Sequence, residues 1–199
     1  MTDPKINSIL DEGNRLFLQG KFQQAIAYYD KILDEDPKNI SSLNNKGYAL
    51  SKLKDFTNAM KCYDIALEIC PHDLSVLINK ISSFRKQGNF IEALSICDNI
   101  LKNNPNYNVV LYHKERILFS MKKFNESISC CNCILEDYPD NVNVLFDKAS
   151  NFAMLSNFDD ALNLLENVIS QGIQYKIKAK KSKSFENLSN NVRFQNLIS

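Results

Sequence analysis

Residues Ile40–Asp73 read ISSLNNKGYALSKLKDFTNAMKCYDIALEICPHD, a stretch of 34 residues that ends just past a proline. Counting from Ile40, the apolar or small positions are 4 (Leu43), 8 (Gly47), 11 (Leu50), 17 (Phe56), 20 (Ala59), 24 (Tyr63) and 27 (Ala66). Those intervals are helical, not alternating. A polar step, Lys54-Asp55, divides them into two helices, A and B. Pro71 at position 32 closes helix B, because proline biases its predecessor out of the helical region.

The same frame recurs on both sides. Prolines fall at 37, 71, 105 and 139, each 34 residues after the last. Five units follow, 6–39, 40–73, 74–107, 108–141 and 142–175. Position 17 is phenylalanine throughout (Phe22, Phe56, Phe90, Phe124, Phe158), and position 20 is small (Ala25, Ala59, Ala93, Ser127, Ala161). A single hairpin cannot bury its own apolar stripe. Tandem hairpins do so by stacking, which predicts an α-solenoid. The fifth unit lacks the proline and has Gly172-Ile173 there instead.

The pattern resembles the tetratricopeptide repeat. Gly13, Gly47, Ala25, Ala59, Tyr29, Tyr63, Pro37 and Pro71 carry the resemblance, and the frame covers residues 6–175. It implies an all-α, right-handed solenoid of five helix–turn–helix hairpins. Position 8 departs in two units, with Ile81 and Glu115. In this family positions 8 and 20 face each other, so a hydrogen bond between Glu115 and Ser127 is expected.

Residues 1–5 lead into the first unit, with Pro4 in the first helical turn behind a capping Asp3. Residues 176–199 form a basic closing segment: 174–199 hold six basic and one acidic side chain, in a chain of net charge +1. A basic run can bind acidic partners or nucleic acid, but solenoid ends need a polar cap. Phe185, Leu188, Phe194 and Leu197 are expected to pack on the fifth unit, as in C-terminal capping helices of such repeats.

Near-neutral charge argues against general nucleic-acid binding. The sequence has no apolar run of membrane-spanning length and no apolar leader at its N-terminus, so a cytoplasmic protein is expected. The 25 asparagines fit a biased genome as well as any function. Five glycines leave little for a phosphate-cradling loop, and no Walker, HExxH or GxSxG pattern occurs. His72 reads as a turn residue and His113 as a helix-A residue. No enzyme activity, cofactor or resident metal is expected. The alternative is Cys130-x-x-Cys133 as a metal or redox site. Against it, the spacing lies within helix B and Cys131 holds core position 24.

The resemblance implies a concave groove lined by helix A. The positions carried over are Asn14, Asn45, Tyr48, Lys52, Asn79, Arg85, Lys86, Tyr112, His113, Arg116 and Phe146. Asparagine amides pair with peptide backbone, aromatics give rigid contact area, and the cations favour an acidic peptide. The expected function is a protein-interaction scaffold holding a peptide or partner helix, with a homodimer as the alternative. The two-carboxylate clamp of heat-shock-chaperone binders is not supported. Its positions here read Leu10, Asn14, Asn45, Ser75 and Asn79, with both amides present and all three cations absent.

Overall fold

The structure, a computed structural model, describes residues 4–199, so the expected Asp3 cap lies outside the described residues. Ten helices follow in pairs: α1 (Pro4–Leu18) and α2 (Phe22–Glu35), α3 (Ile40–Lys52) and α4 (Phe56–Ile69), α5 (Leu74–Gln87) and α6 (Phe90–Asn103), α7 (Asn108–Ser120) and α8 (Phe124–Asp137), α9 (Val142–Met154) and α10 (Phe158–Ser170). Then come α11 (Ile173–Lys181), a 3-10 turn (Lys183–Leu188) and α12 (Val192–Ile198). Among the described residues no helix is long and apolar enough to cross a membrane.

The prolines act one residue upstream of themselves. Asp36, Cys70 and Tyr138, each preceding a proline, have φ near −130° and ψ between 72° and 90°, which no α-helix can continue. The next helix A is then capped. Asn39, Asp73 and Asn141 accept from the backbone N–H three residues on, at 3.0, 3.0 and 3.3 Å. Tyr107 holds the equivalent position before α7 and offers no side-chain cap.

The turn between A and B puts position 15 in the left-handed region every time. Gly20 and Gly88 take φ of 76° and 90° without strain, while Lys54, Lys122 and Ser156 do so at 66°, 61° and 61°. A Cβ there costs about 1 kcal/mol.

The chain divides into two compact units, Met1–Ile96 and Cys97–Ser199. In the first, Leu16, Ala25, Ile26 and Tyr29 bury together with Ala49 of the next hairpin. Leu43, Ala59, Tyr63 and Ala66 likewise bury with Val76 of α5. Each hairpin thus completes its wall with the following helix A. Ion pairs repeat the same step: Lys46–Asp30 and Lys80–Asp64, both 2.5 Å, join position 7 to position 25 of the preceding repeat. In the second unit Lys114–Asp98 does so at 2.7 Å.

The second unit's core contains Leu145, Phe146, Ala149, Leu162, Leu165, Ala179, Phe185, Leu188 and Phe194, with Leu197 packed against it. The closing segment is therefore an apolar lid on α9 and α10. It begins earlier than the sequence frame places it. With no proline at 173, a helix starts at Ile173, directly after Gly172, and takes in the last residues assigned to the fifth unit.

Two outcomes follow. Lys122→Gly should raise unfolding free energy by about 1 kcal/mol in a urea titration; no gain would show that the turn is not strained. Truncation after Lys183 should remove several kcal/mol of apolar burial and lower the melting temperature. An unchanged melt would show that the segment is not a lid.

Candidate functional site

The helix-A face of the first unit carries two pairs of amides, each bonded across consecutive repeats. Asn14 Oδ1 accepts from Tyr29 Oη at 3.0 Å and from Asn45 Nδ2 at 2.9 Å. Asn79 Nδ2 donates to Asn44 Oδ1 at 2.9 Å. Part of the hydrogen-bonding capacity expected for a ligand thus joins consecutive repeats instead. Asn44, absent from the sequence-derived site, enters it as the acceptor for Asn79.

Tyr48 sits beside these amides. Its ring stacks on Phe17 with centroids 4.9 Å apart and 29° between planes. The ammonium groups of Lys52 and Lys86 lie 5.1 and 5.7 Å from its centroid. Partial burial, then the charges of Lys52 and Arg85, make Lys86 give up its proton more readily than usual. The charges of Lys52, Arg85 and Lys86 therefore lie close enough to act on one another.

In the second unit Arg116 packs over Tyr112, 5.3 Å from its centroid, with Nη1 donating to the phenol oxygen at 3.5 Å. His113 is half-buried on the same helix.

Phe146 corrects the expectation. It is only 2% exposed, and its ring meets Phe185 edge-on at 5.6 Å and Tyr175 at 6.3 Å. Lys178 Nζ lies 3.9 Å from its centroid. The closing segment covers the groove position, so Phe146 is core here. The sequence frame missed this because it treated residues 176–199 as a cap on the solenoid end alone. Asp147, next to it, is pushed up by burial, against the opposing pull of Lys178 and Arg116.

Glu115 is 2% exposed. Ser127 Oγ donates to its Oε1 at 3.0 Å, as the paired departures at positions 8 and 20 implied. Asn151 Nδ2 adds a longer contact at 3.4 Å and also donates to the Asp147 carbonyl at 2.9 Å. Oε2 has no partner among the described residues. Burial first, then the Asp147 charge, push the carboxyl up to about 7, outweighing the two hydrogen bonds and Arg116.

All six cysteines are free thiols. Burial pushes Cys97 up to about 12 and Cys130 up to about 11, and raises Cys131 as well. Such thiols stay protonated at neutral pH and are poor nucleophiles and ligands. Cys133 is half-buried, and Cys130 and Cys131 pack in the core. Among the described residues no group of three or more His, Cys, Asp or Glu side chains is placed to hold a metal ion.

Tetratricopeptide-repeat profiles match residues 15–39 and 40–73. No curated protein matches the sequence. Solved structures do. A tetratricopeptide repeat protein from Parabacteroides merdae ATCC 43184 is 18% identical, with a TM-score of 0.75 over 99% of this chain and 84% of its own. MamA from RS-1, as a double mutant, is 13% identical, with a TM-score of 0.71 over 92% of this chain and 100% of its own. YrrB, described as a TPR protein with an unusual peptide-binding site, is 18% identical, with a TM-score of 0.64 over 87% and 91%. At such identities the likeness shows the fold, an all-α solenoid of helical hairpins.

The buried carboxyl gives the site a pH signature. Glu115 titrates higher folded than unfolded, so its contribution is fully present below about pH 4.5. It is lost as pH rises through 7, by about 3 kcal/mol at most. Glu115→Gln does not titrate. Its stability relative to wild type should therefore improve by about 2 to 3 kcal/mol between pH 5 and pH 8.5 in urea titrations. A constant difference across that range would mean that Glu115 is not held protonated.

Proposed function

The chain belongs to the tetratricopeptide-repeat family, a fold of interaction scaffolds, and on that premise we propose that it is a non-catalytic adaptor. It holds an extended, acidic peptide against its helix-A faces.

The observation that carries this reading is the charge and chemistry of those faces. Lys52 and Lys86 lie beside Tyr48 in the first unit, with the Arg85 charge acting on Lys86, and Arg116 lies over Tyr112 in the second. Aromatic rings with cations beside them suit a carboxylate-bearing partner, since a guanidinium or ammonium can pair with the carboxylate while the ring supplies contact area. The amides of Asn14, Asn45 and Asn79 keep further groups for backbone pairing once their mutual bonds are made. A peptide-binding site in the name of YrrB fits the same reading. A non-catalytic role agrees with thiols that burial keeps protonated.

Fluorescence polarisation with fluorescein-labelled twelve-residue peptides tests this. Acidic sequences should bind more tightly than basic ones of equal length, and binding should weaken with salt. Arg85→Glu with Arg116→Glu should lower the affinity for acidic peptides about tenfold. Equal binding of acidic and basic peptides, or indifference to the double reversal, would remove the acidic-peptide reading.

A further inference from the structure

Around Tyr48 the structure holds more than a positive surface. The Tyr48 ring, with Phe17, Leu18, Tyr29, Asn14 and Asn45, lines an open cavity of about 280 Å³. Its walls are mostly aromatic and aliphatic, and Leu18 is 85% exposed. Bonds from Tyr29 and Asn45 occupy Asn14 Oδ1, which leaves Asn14 Nδ2 and Asn45 Oδ1 outside that chain of bonds.

Two ammonium groups share the ring that forms one wall. Lys52 and Lys86 occupy position 13 of consecutive repeats, 5.1 and 5.7 Å from the Tyr48 centroid. Among the described residues no carboxylate pairs with either. Partial burial, and after it the nearby charge of Lys52, make Lys86 easier to deprotonate, and an anion placed between the two lysines would relieve their repulsion. The cavity is smaller than a pocket for a drug-sized molecule, and its apolar walls do not suit a bare anion. Apolar cavity and paired cations together specify a ligand with both characters a few ångströms apart.

We propose that the Tyr48 cavity takes one aliphatic or aromatic side chain of a peptide, with an adjacent carboxylate held between Lys52 and Lys86. This rests on the peptide-scaffold reading above and names the element that its first unit selects. Two sources supply the same chemistry: the α-carboxylate of a chain-terminal apolar residue, or an acidic side chain that follows an internal one.

Four fluorescein-labelled peptides with a common acidic body test it by polarisation. One ends in leucine with a free carboxylate. The second is the same peptide amidated. The third is amidated and ends in leucine followed by glutamate. In the fourth, alanine replaces the leucine of the first. The first or third should bind at least tenfold more tightly than the fourth. Preference for the first over the third assigns the terminal carboxylate; comparable binding of both assigns any neighbouring carboxylate.

Lys52→Glu with Lys86→Glu should abolish the leucine preference. So should Leu18→Asp, a change at an exposed position that leaves the core intact. Thermal melts matching wild type would confirm that the variants fold. If the alanine peptide binds as well as the leucine ones, or if both folded variants keep the preference, the cavity is not the site, while the acidic-peptide reading stands. If no acidic peptide binds the wild type, both fall.

Discussion

A tyrosine ring and a missing Cβ set the spacing inside the first two hairpins. A Cβ on Gly47 would lie 2.7 Å from Tyr63 Cε1, and one on Gly13 would lie 2.7 Å from Tyr29 Cε1. No side chain tolerates that approach. Glycine in a helix costs roughly 1 kcal/mol against alanine, and burial of the whole ring more than offsets it. The phenol then reaches a helix A, that of the same repeat for Tyr29 and that of the next for Tyr63. Tyr29 Oη donates to Asn14 on the helix-A face, and Tyr63 Oη lies 3.4 Å from Ser83 Oγ, itself 2.6 Å from Ser51 Oγ. One close contact thus fixes the hairpin, and its polar tip bonds to side chains of helix A.

Positions 8 and 24 vary as a pair. Glycine accompanies tyrosine in the first two repeats. The fourth has Glu115 with Cys131, and the fifth has Ala149 with Leu165. The smaller thiol leaves space that a glutamate fills, close enough for its charge to raise the thiol further. A carboxyl in that space needs partners. Ser127 replaces the usual alanine and supplies one, and Asn151 of the next repeat leans in with a second. Three departures from the repeat pattern are therefore one substitution in physical terms. The cost of burial is met by protonation instead of by a counter-ion.

The hairpin frame was legible because proline at 32, phenylalanine at 17 and a small residue at 20 each report a local event: a helix stop, a turn flank, a close approach. The Glu115–Ser127 bond was legible because both partners departed from the pattern inside one hairpin. Interactions between repeats were not. The Lys46–Asp30, Lys80–Asp64 and Lys114–Asp98 pairs recur every 34 residues, yet their partners are 16 apart and on different hairpins. Only knowledge of which faces stack reveals them. The signal was present in Lys46, Lys80, Lys114 and Lys148. The last faces the repeat in which Asn132 replaces the aspartate, and no ion pair forms there among the described residues. The left-handed turn, marked by Gly20 and Gly88 in two units, was hidden in the other three for another reason. Lysine and serine sit where glycine would have announced it.

Phe146 shows what a groove position becomes when the chain itself supplies the occupant. Tyr175 and Lys178 lie against its ring, and the Lys178 charge also acts on Asp147. An aromatic ring, a cation and a carboxylate meet there, all from one chain. The same elements occur around Tyr48, with one absent: ring and cations are present and no carboxylate faces them among the described residues. In the second unit the closing segment completes the set and makes the helix-A position core. In the first unit the set stays open. A cation held beside a ring gains about 1 kcal/mol or less at an exposed site, too little to justify crowding two of them. The proposed carboxylate from another molecule would account for the crowding of Lys52 and Lys86.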